Sequence, residues 1–330
     1  MDRKFLKRTI ILLPFVILLS TCCLLAAEQT EANKKSAPGE ERAWYEYDRE
    51  APLQDEILRE EEQKGYKKVY FKFTDLQGDE VPGVMTLPTM AEGPFPVVVL
   101  MHGFMMQKED FINQAFHVPF AKRGVATIAI DFPLHGDRPG DPQMGFDSLD
   151  GAESMFRQAL FDVLRLFDYI EKSGELDAGR MGYIGVSMGA IVGSIAAGID
   201  ERVKVMAFLI GGGGLECLFT GIDMAGSKSL GDLAKNNPET LREKFEYFDQ
   251  LAFAGRISPR PVLFYNVEDD PIIKKECAEN FHNATGEPKE VIWRTAGGHY
   301  VNTNSKKVRE PILKWFDEHL LDAKSEGKQQ

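Results

Sequence analysis

Apolar residues along the chain fall into short blocks separated by amphipathic stretches. Val97-Val98-Val99-Leu100-Met101 is an unbroken apolar run that follows Pro94 and Pro96 and ends at His102-Gly103-Phe104. Such a run is typical of a strand buried on both faces. Val125 to Ile130, Met181 to Gly185, Val203 to Ile210, Pro261 to Val267 and Val291 to Arg294 repeat the pattern. Helical patterns lie between them: Asp110 to Arg123, Gly151 to about Ser173, Ala190 to Ala197, Lys274 to Ala284 and Val308 to Leu320. In the second of these, Phe156, Leu160, Val163, Phe167 and Ile170 fall on one helical face; in the last, Ile312, Phe316 and Leu320 do. Pro311 predicts that the ordered part of the last helix starts or kinks there. Val69 to Thr74 and Val81 to Leu87, joined through Gln77-Gly78-Asp79, predict a hairpin, and Gln54 to Gln63 predicts a short surface helix. From residue 97 onward the alternation predicts an α/β fold, with a mostly parallel sheet covered on both faces. A site in such a sheet lies beyond the C-terminal ends of the strands.

Two stretches interrupt the alternation. Asp131 to Asp147 is rich in Pro, Gly and Asp and reads as a loop. Residues 215–250 read as a cap insertion over the site, with Gly211 to Gly214 as its hinge. The one regular stretch expected in the cap begins at Asn237-Pro238 and sets Leu241, Phe245 and Phe248 on one face. With Phe219 and Met224, these residues either line a pocket at the site or pack on the domain. The main folded domain is expected over 66–322, followed by a polar tail at 323–330. Residues 28–65 read as a polar spacer and extension, with Trp44, Tyr45 and Tyr47 docking on the domain.

Residues 1–27 read as an export leader, with Arg3, Lys4, Lys7 and Arg8 ahead of an uncharged run from Thr9 to Ala27. Three fates are open. Leu19-Ser20-Thr21-Cys22 resembles a lipobox, although Thr21 departs from the usual small residue, so lipid attachment at Cys22 or Cys23 is one fate. Cleavage near Ala26-Ala27 and retention as an anchor are the others. All three place the domain outside the cytoplasm: periplasmic, at the cell surface, membrane-attached or secreted. A formal charge of −12, with no basic cluster beyond the N-terminus, argues against a nucleic-acid partner. The spacing of Cys217 and Cys277 matches no zinc ligand pattern, so no metal is expected. They are read as two free buried thiols, with a disulfide as the alternative.

The chemistry gathers at strand ends. Gly185-Val186-Ser187-Met188-Gly189 lies between a strand and a small-residue helix, the setting of a nucleophile elbow. The turn strains the serine backbone, and the glycines remove side chains that would collide. Serine needs a base, and the base needs an acid to hold its tautomer. His299, after Gly297-Gly298 and a strand, is the base; His102, His117, His135, His282 and His319 fit less well. Asp270 or Asp269, in Glu268-Asp269-Asp270-Pro271, is the acid, with Asp270 preferred. Backbone N–H groups of Met188 and Phe104 are the expected oxyanion donors.

These four anchors, in the order Ser, Asp, His, resemble the α/β-hydrolase superfamily over roughly residues 66–320. The nearest likeness is to dienelactone-hydrolase-like and prolyl-oligopeptidase-like serine esterases. Ser187 stands where dienelactone hydrolases proper carry cysteine, and the three-glycine oxyanion loop of many lipases is absent. The resemblance implies acyl transfer through Ser187, His299 and Asp270 without metal or organic cofactor, on a small-molecule or carbohydrate ester. Peptidase activity on the same fold and a non-catalytic surface binding protein are the alternatives.

Overall fold

The structure, a computed structural model, describes residues 44–111, 115–221 and 228–322. The leader, Cys22, Cys23, Met224 and the tail therefore lie outside the described residues. The chain divides into two units, Met1–Tyr47 and Asp48–Gln330. In the first, the rings of Trp44 and Tyr45 meet edge to face, 4.7 Å apart.

The second unit is built on a nine-stranded sheet in the order β1-β2-β3-β5-β4-β6-β7-β8-β9. The strands are β1 (Glu56–Gln63), β2 (Tyr66–Thr74), β3 (Glu80–Pro88), β4 (Phe95–Met101), β5 (Ala126–Ile130), β6 (Leu176–Val186), β7 (Val203–Leu209), β8 (Val262–Val267) and β9 (Lys289–Arg294). The pairs β1–β2, β2–β3 and β3–β5 are antiparallel, and the pairs from β5 to β9 are parallel. Every residue of β4 is buried, as its apolar run predicts.

Helices cover both faces. Helix α1 (His117–Ala121) and helix α9 (Lys306–Phe316) share a core with Val98, Leu100, Ile184 and Val205. Across the sheet lie α2 (Leu149–Lys172), α3 (Met188–Ile199) and α7 (Gln250–Ile257), packed on one another. Burial of each large apolar side chain in these layers contributes roughly 1.5–3 kcal/mol.

Several expectations are corrected. The stretch read as a surface helix at 54–63 is strand β1, on the sheet edge. Its glutamates lie opposite lysines of β2, Glu61 against Lys68 and Glu62 against Lys67, and such cross-strand pairs favour a ribbon over the helix that glutamate otherwise prefers. Within the helix expected over 110–123, the described residues are helical at Lys108–Phe111 and at α1, on either side of 112–114. Helix α9 runs through Pro311 from a start at Lys306. Among its described residues the cap holds three α-helices rather than one: α4 (Leu215–Gly221), α5 (Lys228–Asn236) and α6 (Pro238–Phe245). Gly211 to Gly213 are buried, and a Cβ there would press on Ala190, Ile273 and Leu251. They form a packing strip, and Gly214, at φ 94°, has no such close neighbour. Cys217 and Cys277 are joined as a disulfide, their Cα atoms 5.6 Å apart, not free thiols. The bond ties α4 to α8 (Lys275–Ala284), a contact across the fold that spacing alone does not reveal.

Candidate active site

Ser187 caps helix α3 immediately after β6, with φ 51° and ψ −112°. A non-glycine residue at this positive φ is strained, and the surroundings must hold it there. Its N–H donates to Leu209 O at 2.9 Å, which ties the elbow to β7. A Cβ at Gly185 would overlap the backbone of Gly189, and one at Gly189 would overlap Met101 O. The two glycines are thus required by close backbone approach, as the motif predicts.

The three expected side chains meet. Ser187 Oγ lies 2.8 Å from His299 Nε2, and His299 Nδ1 lies 2.7 Å from Asp270 Oδ2. An acceptor at Nδ1 fixes the proton there and leaves Nε2 free to accept the Ser187 hydroxyl. The other Asp270 oxygen accepts the N–H groups of Ile272 and Ile273 at 2.8 and 2.9 Å. Asp270 is buried, whereas Asp269 is exposed and points elsewhere: its Oδ1 accepts from Gly297 and Gly298.

Met188 is the first residue of α3, so its N–H has no acceptor within the helix. Phe104 lines the same cavity as Ser187 and His299. The turn carrying it is held from below by His102. That ring donates from Nδ1 to Gly103 O at 2.8 Å and accepts at Nε2 from the N–H of Phe132 at 3.1 Å. Complete burial keeps it neutral, its pKa pushed down to about 3. His102 therefore joins the ends of β4 and β5 and does not reach Ser187. His135 is likewise buried and held neutral by desolvation, with Nδ1 donating to Pro133 O. His282 pairs with Asn266, and His117 and His319 pack on Tyr66 and Trp315.

The loop after β5 buries more charge than its composition announces. Asp131 is fully buried and accepts from Lys108 at both N and Nζ, at 2.8 and 2.6 Å. Arg138 pairs with Asp162 on α2 and with Asp75. These partners come from distant segments, so the local sequence carried no sign of them. Lys108 and Asp131 anchor the turn that follows Phe104.

A cavity of about 170 Å³ opens on Ser187 and His299. Gly103, Phe104, Met106 and Asp110 form one side, and residues 300–303 belong to the histidine loop. Among the described residues, none of the cap at 215–250 lines it. Leu241, Phe245 and Phe248 are buried instead, with the Phe245 ring against Phe219 at 4.6 Å and Phe156 at 6.4 Å. A larger hollow of about 540 Å³ beside Arg123 and Trp315 contains none of these groups.

The family model of acetyl xylan esterase (AXE1) matches residues 44–210. Two Bacillus subtilis proteins, YtaP and YitV, whose names class them provisionally as a hydrolase and an esterase, are similar in sequence. YtaP is 28% identical over 168 residues, 47% of this chain and 56% of its own length. The chain thus spans little more than half of that relative. YitV is 25% identical over 236 residues, 68% of this chain and 89% of its own length. Among solved structures, the acetyl xylan esterase from Paenibacillus sp. R4 has the same fold, with a TM-score of 0.70 at 20% identity over 86% of this chain and 93% of that one. The acetyl xylan esterase 1 from Thermoanaerobacterium sp. JW/SL YS485 also gives 0.70, at 16% identity over 86% of this chain and 99% of that one.

Proposed function

The chain belongs to the acetyl xylan esterase family, a family of carboxylic ester hydrolases of the serine class, and we propose on that premise that it removes short acyl groups from a carbohydrate-type alcohol through an acyl-enzyme on Ser187. The observation that carries this reading is the unbroken line from Ser187 Oγ through His299 to Asp270, at 2.8 and 2.7 Å. Ser187 Oγ attacks the ester carbonyl as its proton passes to His299 Nε2. Asp270 stabilises the imidazolium, and the N–H groups of Phe104 and Met188 take the charge developing on the carbonyl oxygen. His299 then returns the proton to the departing alcohol. Water, deprotonated by the same ring, attacks the acyl-enzyme, and the acid leaves with Ser187 restored.

The cavity supports a short acyl group. At about 170 Å³ it is smaller than the roughly 300–1,000 Å³ of ordinary small-molecule pockets. The Cys217–Cys277 bond supports export, because disulfides persist in oxidising compartments. The basic and apolar leader agrees with that placement.

Chromogenic esters of increasing acyl length, assayed beside an aminoacyl anilide, test the reading. Highest kcat/KM on the acetyl ester and no anilide cleavage are expected. Preference for long acyl chains, or efficient anilide cleavage, overturns it.

A further inference from the structure

Among the described residues lining the cavity, only Asp110 carries an acidic side chain. It stands on the turn that follows the Phe104 oxyanion position, at Lys108–Phe111. Its Oδ2 takes one N–H, from Gln107, at 3.3 Å, which is long for such a bond. Among the described residues it forms no ion pair. Lys108 Nζ lies 2.6 Å from both Asp131 and Asp137, and Lys68 lies 3.6 Å from Glu109. The partly exposed carboxylate thus keeps acceptor capacity at the edge of a cavity whose other polar side chains include Asn302, Thr303 and Tyr300, all neutral hydrogen-bonding groups.

We propose that Asp110 reads the alcohol half of the substrate by accepting hydrogen bonds from hydroxyls next to the ester. The assignment rests on the esterase reading above and deepens it. A carboxylate accepts but does not donate, so it favours an alcohol with free hydroxyls and repels one that carries its own carboxylate. An alkanol offers it nothing and leaves the charge poorly solvated when the ester binds. The selected substrates are therefore esters of polyols, in preference to esters of plain or anionic alcohols. Neutral hydrogen-bonding groups around a single charge suit several hydroxyls better than one cation.

The test uses the full-length protein with Asp110→Asn and Asp110→Ala, active sites being counted by stoichiometric phosphonylation of Ser187. Four acetyl esters are compared: glycerol monoacetate, n-propyl acetate, O-acetyl-lactate and acetylcholine. The wild type should prefer glycerol monoacetate to n-propyl acetate. In Asp110→Ala that kcat/KM ratio should fall about tenfold, mainly through KM. Asp110→Asn keeps one acceptor oxygen and should lie between. O-acetyl-lactate should gain on n-propyl acetate in both variants. A ratio unchanged in both variants, or wild-type preference for acetylcholine over glycerol monoacetate, overturns the assignment. Acetylated xylobiose separates the two readings. If the wild type leaves it untouched yet favours glycerol monoacetate in an Asp110-dependent way, the carbohydrate reading fails and the role of Asp110 stands.

Discussion

The carboxylate of Asp269 holds the backbone of Gly298 rather than the ring of His299. Its Oδ1 accepts the N–H groups of Gly297 and Gly298 at 2.9 and 2.8 Å. Two successive N–H groups converging on one oxygen form an anion-binding concavity. Gly297 at φ 150° and Gly298 at φ 62° adopt backbone angles that a side chain would resist. The next residue, Asp270, takes the ring itself. Adjacent acids thus have separate roles, the first placing the loop and the second orienting the imidazole.

That division predicts the order of two substitutions. Asp270→Asn should lower kcat by about ten-thousand-fold, because the histidine loses the acceptor that fixes its tautomer. Asp269→Asn keeps an acceptor oxygen and should cost only about tenfold or less. Steady-state kinetics on both variants check this. The reverse order would transfer the triad role to Asp269.

Ser187→Ala should reduce ester turnover by about a million-fold while the fold persists. Stoichiometric labelling by a fluorophosphonate should vanish with it. Continued labelling at another serine, with activity retained, would reject the elbow as the site of acyl transfer.

The buried cap face leads to a stability effect rather than a specificity effect. Phe245 is buried against Phe219, Phe156 and Phe248 and does not line the cavity at Ser187. Phe245→Ala should lower stability by about 3–5 kcal/mol. The ratio of kcat/KM between acetyl and butyryl esters should stay within about twofold, well below the roughly tenfold effect of a changed pocket contact. Denaturant midpoints and the ester ratio from one preparation decide it; a shifted ratio would place the ring in the acyl pocket.

Much of the site was legible because its signals are local. Apolar runs mark β4, β6 and β8, and the chemistry stands within a few residues of their ends at His102, Ser187 and Asp270. The parts that escaped are long-range or context-dependent. Glu56–Gln63 is a strand because Tyr66–Thr74 presents lysines to it, and helix propensity in isolation favours the other answer. Leu230 and Ala234, four residues apart, are buried on cap helix α5, a pattern too short to assert a helix. Asp131, His135 and Arg138 lie in a stretch whose polar composition reads as surface, although the fold buries all three. The preference for Asp270 over Asp269 followed from its place after the strand end, whereas the hold of Asp269 on Gly297 and Gly298 depends on where the glycine loop folds back, which no local pattern encodes.

The Cys217–Cys277 bond closes a chain segment with a sequence separation of 60 and fastens the cap to the helix after the acid turn. Replacing both cysteines by alanine should cost about 2–4 kcal/mol. Thiol alkylation of protein taken directly from cells should find both cysteines blocked before reduction. Free thiols, in protein fractionating only with cytoplasm and still carrying its leader, would contradict both the bond and export.

Acid should destabilise the protein in a defined window, and His282 should account for part of it. This ring lies in the core against Phe264 and Trp293, with Nε2 donating to Asn266 Oδ1 at 3.0 Å. Burial, assisted by the nearby Lys289 ammonium, pushes its pKa down to about 4. An unfolded histidine titrates near 6.5. Between those two values the unfolded chain binds more protons than the folded one, so stability rises with pH and is lost as pH falls. A displacement of this size corresponds to roughly 3 kcal/mol across the window, at about 1.4 kcal/mol per unit. The buried His102, lowered to about 3, acts in the same direction and extends the loss to lower pH. His282→Gln retains an amide N–H to meet Asn266 but has no proton to gain. Urea unfolding at half-unit steps from pH 7 to pH 4 should therefore show a shallower fall for the variant, by up to one proton's slope. Parallel curves for variant and wild type would mean that His282 is charged, or water-exposed, in the folded protein.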